Sequence, residues 1–412
     1  MKFNIKAIIL PVLFQLVLIP TSQAFYYWQE DSQSLELRGL VRIFATATHN
    51  PDNSLLYKES NISGTAAVGR LIVDSSLSDN LSFEAQIVSS YIPQHIQNRG
   101  SRIQHFPDIE RSDSLNTSAD NNQARLFIDR LNLQYESDKL HLKIGRQPIN
   151  LAATYYFTPN DFFAPFAAQT FYRAYKPGVD AARADIQLGD LSQLSLIGVL
   201  GYEFEPDNDT LWSKNPKADQ SSFIVRSSTV FKDFEIALLA GSIKKDKILG
   251  MDMQGELFDW LGIRAEGHYF MPQNSTQDNH TEFSLGLEHR WENSLIIRVE
   301  QFYHGKGAKN TEDYDFATAL PNPDTSYLAR HYSALGANYE MTPLLNTDAL
   351  YLYNWVDQSR VAAFNAVYSL SDESELVFNL NIPMGKKAEG LEFNSEFGNQ
   401  GKSISLEWRQ YF

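Results

Sequence analysis

The chain has 412 residues, no cysteine and a formal net charge of −15 at pH 7. The lack of cysteine excludes a disulfide framework and thiolate chemistry. The acidic balance argues against non-specific nucleic-acid binding, because the phosphate backbone attracts basic proteins. Tyrosine (20 residues) and phenylalanine (26 residues) are abundant, as aromatic girdles at a membrane interface require.

The first 24 residues have the pattern of a secretory signal peptide. Two lysines precede an apolar stretch that ends at Ile19, and small residues lead to a cleavage position after Ala24. An uncleaved membrane anchor is the alternative, but a proline and a glutamine interrupt the run, and a spanning helix needs about 20 apolar residues. We therefore expect residues 1–24 to be removed and residues 25–412 to form a single exported domain.

Residues 25–412 contain repeated runs in which apolar and polar side chains alternate. A period of two predicts β-strands, and about ten residues is the length that a tilted membrane strand needs. We predict eighteen strands, with sixteen as the alternative. They lie near 35–48, 65–77, 81–92, 123–136, 139–147, 178–189, 191–202, 221–231, 234–243, 248–259, 261–270, 281–291, 294–304, 330–341, 345–356, 360–370, 374–384 and 402–412.

The connections between these strands alternate between short and long. Ser137-Asp138 and Lys232-Asp233 are short, and long connections occupy about 49–64, 93–122, 148–177, 203–220, 305–329 and 385–401. Short periplasmic turns opposite long extracellular loops are typical of a transmembrane β-barrel, whereas a soluble sandwich has no reason to keep long connections at alternate ends. The predicted fold is therefore an all-β, antiparallel, transmembrane barrel.

The two faces of each predicted strand differ in polarity. Along 281–291, Phe283 and Leu285 lie on one face, and Glu282 and Ser284 lie on the other. Such alternation places apolar side chains against lipid and polar side chains in the lumen. Aromatic residues gather at both strand ends, which predicts two interfacial belts.

Charged side chains on the polar faces are the candidate lumen residues. The basic ones are Arg38, Arg42, Arg70, Arg183 and Arg409, and the acidic ones are Asp252, Glu256, Glu266, Glu288 and Glu300. A basic wall opposite an acidic wall would create a transverse field that orients polar solutes. Cross-strand ion pairs that neutralise a filled interior are an equally good interpretation. Asp129 and Arg130, which are adjacent, both reach the lumen only if their strand contains a bulge.

Segment 144–189 is the most distinctive part of the chain. It contains Ile-Gly-Arg-Gln-Pro, then Phe-Thr-Pro-Asn-Asp-Phe-Phe-Ala-Pro-Phe, then Tyr-Lys-Pro-Gly-Val-Asp-Ala-Ala-Arg. Its proline and aromatic density indicates an ordered loop. The pattern resembles a set of outer-membrane barrels that includes relatives of the alginate-export channel. In those proteins a Gly-Arg-Gln strand end precedes a Pro-x-Asp-x-Phe loop, and a Gly-Val/Ile-Asp strand follows.

This resemblance implies that the third long loop folds into the lumen, as it does in many porins. Residues 150–176 would then form a constriction, with polar selectors beside aromatic walls. The residues implied are Asp161, Phe162, Phe163, Phe166, Arg173 and Lys176. The alginate channel has a strongly basic pore, whereas this interior is mixed in sign, which argues against a polyanionic solute. A plug or an external cap is the alternative role for the loop.

The final predicted strand, 402–412, alternates almost to its last residue. Ile404, Leu406, Trp408 and Phe412 fall on one face. The strand resembles the closing strand of Gram-negative outer-membrane barrels, in which the assembly machinery reads a terminal phenylalanine. The resemblance implies that Phe412 contacts this machinery and that outer-membrane lipid and lipopolysaccharide surround the barrel. With an even strand count, both termini would be periplasmic.

The sequence gives little support for an enzyme. The nine histidines are scattered, without His-Glu-x-x-His spacing, and there is no Gly-x-Ser-x-Gly elbow. We expect no enzyme activity, no cofactor and no metal. The sequence favours passive diffusion of small polar or amphipathic solutes through a lumen narrowed by loop 150–176. The alternative is a closed barrel that acts as a surface receptor, adhesin or assembly scaffold through its external loops.

Overall fold

The computed structural model describes residues 25–52, 57, 59–96, 109–119, 123–205, 208, 211–274, 277–314, 327–389 and 394–412. The predicted signal peptide, residues 1–24, lies outside the described residues. Within the described ranges, no helix has the length and apolar character needed to cross a membrane. Short 3₁₀ helices span Gln94–Ile96, Asp113–Leu115, Thr311–Asp313 and Phe397–Asn399.

The described chain forms twenty β-strands. The first ten are β1 (Tyr26–Glu30), β2 (Gln33–His49), β3 (Asn61–Ser78), β4 (Leu81–Tyr91), β5 (Asn116–Ala119), β6 (Ala124–Glu136), β7 (Leu140–Gln147), β8 (Val179–Gly189), β9 (Ser192–Gly201) and β10 (Lys217–Phe231). The other ten are β11 (Phe234–Ile243), β12 (Asp246–Leu257), β13 (Leu261–Met271), β14 (His280–Arg290), β15 (Ile296–His304), β16 (His331–Thr342), β17 (Leu345–Asn354), β18 (Arg360–Ser371), β19 (Ser374–Met384) and β20 (Lys402–Tyr411).

Eighteen of these strands close into one antiparallel barrel. Successive strands pair in chain order, and β20 pairs with β2, which closes the ring. Strands β1 and β5 are additional: β1 pairs with β2, and β5 pairs with β6. Each of the eighteen predicted strands corresponds to one strand of the ring, so the prediction of eighteen rather than sixteen is confirmed. Closure satisfies the backbone hydrogen bonds that an open sheet edge would leave exposed.

Burial alternates along the strands in the way that the polarity pattern predicts. On β11, Leu238 is 61% exposed, whereas the next residue, Leu239, is 1% exposed. On β12, Met251 is 51% exposed and Asp252 is 2% exposed. Apolar side chains therefore cover the outside of the barrel, and polar ones occupy its interior.

Strand β6 contains the bulge that the sequence requires at Asp129. The register with β4 shifts between Gln86 and Ile87, opposite this residue. Asp129 and Arg130 both make interior contacts as a result. Asp129 Oδ2 lies 2.7 Å from Arg70 Nη1, and Arg130 Nη1 lies 3.0 Å from a carboxylate oxygen of Glu84. The extra residue places two adjacent side chains on the same side of the sheet.

The barrel closes, between β2 and β20, around the side chain of Phe412. Its backbone N–H donates to the Gly39 carbonyl at 3.0 Å, and the Gly39 N–H donates to the Phe412 carbonyl at 2.6 Å. The Phe412 ring is 5% exposed, although it shares its face with the exposed Ile404 and Leu406. The reason is Gly39, because a Cβ atom there would lie 2.2 Å from Phe412 Cζ. The phenyl ring of Phe412 occupies the space that is free because Gly39 has no side chain.

Candidate functional site

The connection between β7 and β8, residues 148–178, is attached to the barrel interior by a carboxylate on β15. Glu300 accepts hydrogen bonds from the backbone N–H groups of Tyr155 at 2.6 Å, Tyr156 at 2.7 Å and Phe157 at 3.0 Å. Glu300 is 2% exposed. Hydrogen bonds to a buried charged acceptor are short and strong, so one side chain fixes three consecutive peptide groups.

A second carboxylate, on β13, holds the same connection in the same way. Glu266 accepts from the backbone N–H groups of Ala153, of Thr154 at 2.9 Å and of Asn160 at 3.0 Å. Its side chain is fully buried. Together, Glu266 and Glu300 satisfy six backbone donors that would otherwise be buried without partners.

Aromatic packing fills the space between this connection and strands β15 to β18. The Phe157 ring stacks on Phe302 with centroids 5.1 Å apart, and both belong to a buried cluster with Tyr332. Gly336 leaves room for Tyr156, since a Cβ atom there would lie 1.6 Å from the Tyr156 hydroxyl. Burial raises the pKa of the Tyr156 phenol. The connection is therefore packed against one side of the lumen.

The six residues that the resemblance assigned to a constriction lie inside this connection. Lys176 Nζ contacts Asp161 Oδ2 at 2.5 Å and the Ala164 carbonyl at 3.0 Å. Burial raises the pKa of the Asp161 carboxyl and lowers the pKa of the Lys176 amine, while their mutual attraction opposes both shifts. Arg173 donates to the carbonyls of Thr170 at 2.8 Å and Ala168 at 3.0 Å.

The three phenylalanines of that set make packing contacts within the barrel. Phe162 and Phe163 contact a buried cluster that includes Ile197 and Ile224 from β9 and β10. The Phe166 ring centroid lies 5.8 Å from the amine of Lys176. None of the six residues is among those that line the passage described next. In this structure they define the shape of the connection itself.

A cavity of about 170 Å³ lies between residues 169–172 of the connection and the facing wall of the barrel. Strands β2, β19 and β20 supply most of that wall. Uncharged polar side chains predominate in it: Thr46, Thr48, Asn379, Asn381, Ser403 and Ser405. Phe44 and Phe171 add aromatic surface. We call this space the passage.

The charged residues of the passage are paired with one another. Arg42 binds Glu407 through Nε–Oε1 at 2.6 Å and Nη2–Oε2 at 3.1 Å. Arg409 binds the same carboxylate through Nε at 2.6 Å and also binds Glu375 at 3.2 Å. The Tyr172 ring lies between the two guanidinium groups, with each Cζ atom 4.1 Å from its centroid. Cation–π contacts therefore occupy the faces of both guanidinium groups.

Two polar atoms in the passage have no hydrogen-bond partner among the described residues. They are the side-chain oxygen of Asn381, a residue that is 6% exposed, and the hydroxyl of Tyr172. Burial raises the pKa of the Tyr172 phenol, so this hydroxyl stays protonated and able to donate. Both atoms are buried within the protein.

The other predicted lumen charges are mostly in ion pairs too. Arg38 contacts Asp74 and lies 3.1 Å from Glu36, Arg70 lies 2.7 Å from Asp129, Arg183 lies 2.8 Å from Asp185, Asp252 lies 2.8 Å from Arg226, and Glu288 contacts Arg298. Glu256 is exposed. The five predicted basic residues each have a carboxylate neighbour, as the ion-pair interpretation expects.

The fold of this chain is similar to that of several solved structures. No protein-family model matches the chain, and no curated protein matches it either. The structure is similar to a BenF-like porin from Pseudomonas fluorescens Pf-5, with a TM-score of 0.59, 11% identity, and coverage of 92% of this chain and 98% of the porin. This chain has the fold of that porin.

Two further structures have the same architecture. Acinetobacter baumannii OccAB4 has a TM-score of 0.56 at 12% identity, with 93% of this chain and 98% of OccAB4 covered. Pseudomonas aeruginosa OccK2 (OpdF), solved in complex with glucuronate, has a TM-score of 0.58 at 9% identity, with coverage of 92% and 98%. Similarity at such low identity shows a shared fold and leaves function to be argued from the site. The resemblance to alginate-export channels stays a prediction.

The residues that line the passage could not all be found from the sequence. Ser403, Ser405 and Glu407 occupy every second position of β20. This period of two is the sequence pattern that indicates their position on the inner face of the barrel. No local pattern distinguishes Gln169–Tyr172 from the rest of an aromatic loop. Their position depends on Glu266 and Glu300, whose partners are more than a hundred residues away in the chain.

Proposed function

We propose that the protein is an outer-membrane channel of the porin type, through which small polar or amphipathic solutes diffuse passively. The observation that carries the proposal is the polar cavity between residues 169–172 and strands β2, β19 and β20, inside a closed 18-stranded barrel. The porin fold, found across more than nine-tenths of this chain, supports the same conclusion. The connection at residues 150–176 would be the element that narrows the lumen.

Selectivity in such a channel arises where the lumen is narrow. A solute there must exchange part of its hydration for protein contacts without binding too tightly to leave. Uncharged hydroxyl and amide side chains suit this requirement, because each of their hydrogen bonds contributes only about 0.5–1.5 kcal/mol. Eight of the seventeen residues that line the passage are serine, threonine, asparagine or glutamine, which carry such groups.

The proposal includes a membrane orientation and an assembly route. The long connections would face the outside, with lipopolysaccharide around them, and both termini would be periplasmic. The exposed apolar outer face of the strands would contact outer-membrane lipid. Phe412 would be the residue that the barrel-assembly machinery reads.

The test is single-channel conductance of the purified, folded barrel in a planar lipid bilayer. We expect steady current steps from the native protein and larger steps from the variant Phe171→Gly/Tyr172→Gly, which removes two rings from the passage. A matched control is Asn215→Gly/Pro216→Gly, in an exposed part of another connection; its conductance should equal that of the native protein. If neither the native protein nor the passage variant conducts, the barrel is closed and the proposal is wrong.

A further inference from the structure

We infer that the passage selects neutral polyhydroxylated solutes, such as sugars and polyols, over carboxylates. This inference rests on the proposed channel function and names the solute class for it. Three features of the passage carry the inference: the pairing of its charges, the chemistry of its uncharged side chains, and its aromatic surface.

Both arginines that line the passage are paired with acids, so they offer little attraction to an anion. Arg42 and Arg409 share the carboxylate of Glu407, and Glu375, which lies outside the lining, is 3.2 Å from a guanidinium nitrogen of Arg409. Tyr172 covers one face of each guanidinium. An entering carboxylate would have to displace Glu407, which binds both arginines and is 2% exposed. It would also meet repulsion from that acid.

The uncharged side chains present both donors and acceptors. Threonine and serine hydroxyls donate and accept, and each asparagine has an amide donor and a carbonyl acceptor. A carboxylate accepts hydrogen bonds but cannot donate them, so it would satisfy only half of these groups. A sugar hydroxyl does both.

The aromatic residues complete the match to a polyol. Phe44 and Phe171 line the same space as Thr46 and Thr48. Apolar ring surface favours contact with the C–H faces of a sugar, while the surrounding polar groups bind its hydroxyls. Two phenylalanines, together with separate hydroxyl and amide groups, provide many weak contacts. Weak contacts are what the passage needs, because a channel must release its solute.

Glucose and glucuronate are the appropriate pair of probes, because they differ by one carboxylate on the same carbon skeleton. The related fold of OccK2 was solved with glucuronate bound, so this solute fits a barrel of this architecture. The experiment measures interruption of single-channel current by each probe at equal concentration and constant ionic strength. For the native protein, we expect glucose to interrupt the current at least several times more often than glucuronate does.

Three variants and one control separate the contributions. Asn381→Leu and Thr46→Val each remove one hydrogen-bonding side chain, and each should lower the affinity for glucose about 2- to 10-fold, the equivalent of one hydrogen bond. Thr229→Val makes the same change on β10, far from the passage, and should leave the affinity unchanged. Glu407→Gln leaves two arginines with one acid. Glucuronate should then interrupt the current more often, relative to glucose, than it does in the native protein.

The outcomes distinguish the inference from the function on which it rests. If the native channel conducts but glucuronate interrupts the current as often as glucose does, or more often, the inference is wrong and the channel function stands. The same holds if Thr46→Val and Thr229→Val behave alike. An absence of current in the native protein would remove the channel function, and the inference with it.

Discussion

Glu396 is a buried carboxylate whose partners are neutral. Its Oε2 accepts from the Tyr332 hydroxyl at 2.5 Å and from the Asn354 amide at 2.9 Å, and its own backbone N–H donates to Asp357 at 2.7 Å. Burial and the nearby Asp357 carboxylate raise the pKa of Glu396 to about 8, against the opposing effect of the Tyr332 and Asn354 donors. The residue thus connects the segment around 396 to strands β16 and β17 in its protonated form.

The raised pKa predicts a loss of stability as pH increases. The folded protein keeps the Glu396 proton up to about pH 8, whereas the unfolded chain releases it near the ordinary value of 4.5. Between these values the folded state binds more protons, so this residue lowers the free energy of unfolding by up to about 1.4 kcal/mol for each pH unit. The variant Glu396→Gln should lack this slope and should be more stable than the native protein above pH 8.

The measurement is urea unfolding of the folded barrel at several pH values from 5 to 9. Glu389→Gln is the matched control, because that carboxylate belongs to the same connection and is exposed. Its pH slope should equal that of the native protein. Equal slopes for Glu396→Gln and the native protein would show that Glu396 ionises at the same pH in both states.

Between elements, the dominant contacts are those that two strands make with one connection. Glu266 on β13 and Glu300 on β15 each bind three backbone N–H groups of residues 153–160. Residues 169–172 of the same connection line the passage, whereas Glu266 and Glu300 do not. The carboxylates that hold the connection are therefore separate from the residues that face the cavity.

Removing one of these carboxylates should release the connection. Glu300→Ala leaves three buried N–H groups without an acceptor, and each such group costs about 1–3 kcal/mol. We expect a larger and noisier single-channel current and faster proteolysis within residues 148–178. Glu300→Gln keeps one acceptor oxygen and should have a smaller effect on both measurements. Unchanged current and proteolysis in Glu300→Ala would show that aromatic packing alone holds the connection.

At the scale of the whole molecule, the barrel presents an apolar outer surface around a polar interior. Leu238, in the middle of β11, is 61% exposed, and Leu191, in the short turn before β9, is 63% exposed. In water such exposure would be unfavourable over so many strands. In a bilayer the same side chains contact lipid, and their depth in the membrane determines how well they tolerate a charge.

The depth of a residue in the membrane determines how much an arginine substitution lowers the free energy of unfolding. Leu238→Arg should lower the free energy of unfolding by about 2–4 kcal/mol, and Leu191→Arg by about 0–1 kcal/mol, because a charge near the interface keeps its water. Urea unfolding of barrels folded into lipid vesicles measures both. Equal costs at the two positions would contradict a membrane location for this surface.

The strands were predictable from the sequence because their signal is local. Alternation along β12, with Met251 outside and Asp252 inside, follows from the two solvents that the strand separates. The bulge at Asp129 could be inferred for the same reason, since two adjacent charges cannot both avoid lipid on a regular strand.

The site was less predictable because its contacts are distant in the chain. Glu266 and Glu300 were assigned to an acidic wall, yet their partners are loop peptide groups that no pattern near either glutamate indicates. Phe162 and Phe163 were assigned to an aromatic wall of the pore. They pack on buried isoleucines of β9 and β10, a contact that depends on the path of the closed barrel.

The attachment of residues 153–160 through backbone N–H groups has an evolutionary consequence. Every residue except proline carries such a donor, so Glu266 and Glu300 place no demand on side-chain identity at the positions they bind. In the proposed channel, point mutations at Gln169–Tyr172 would change which solute passes while the attachment of residues 153–160 persists. Selectivity would then evolve by single substitutions, without a change in the supporting frame.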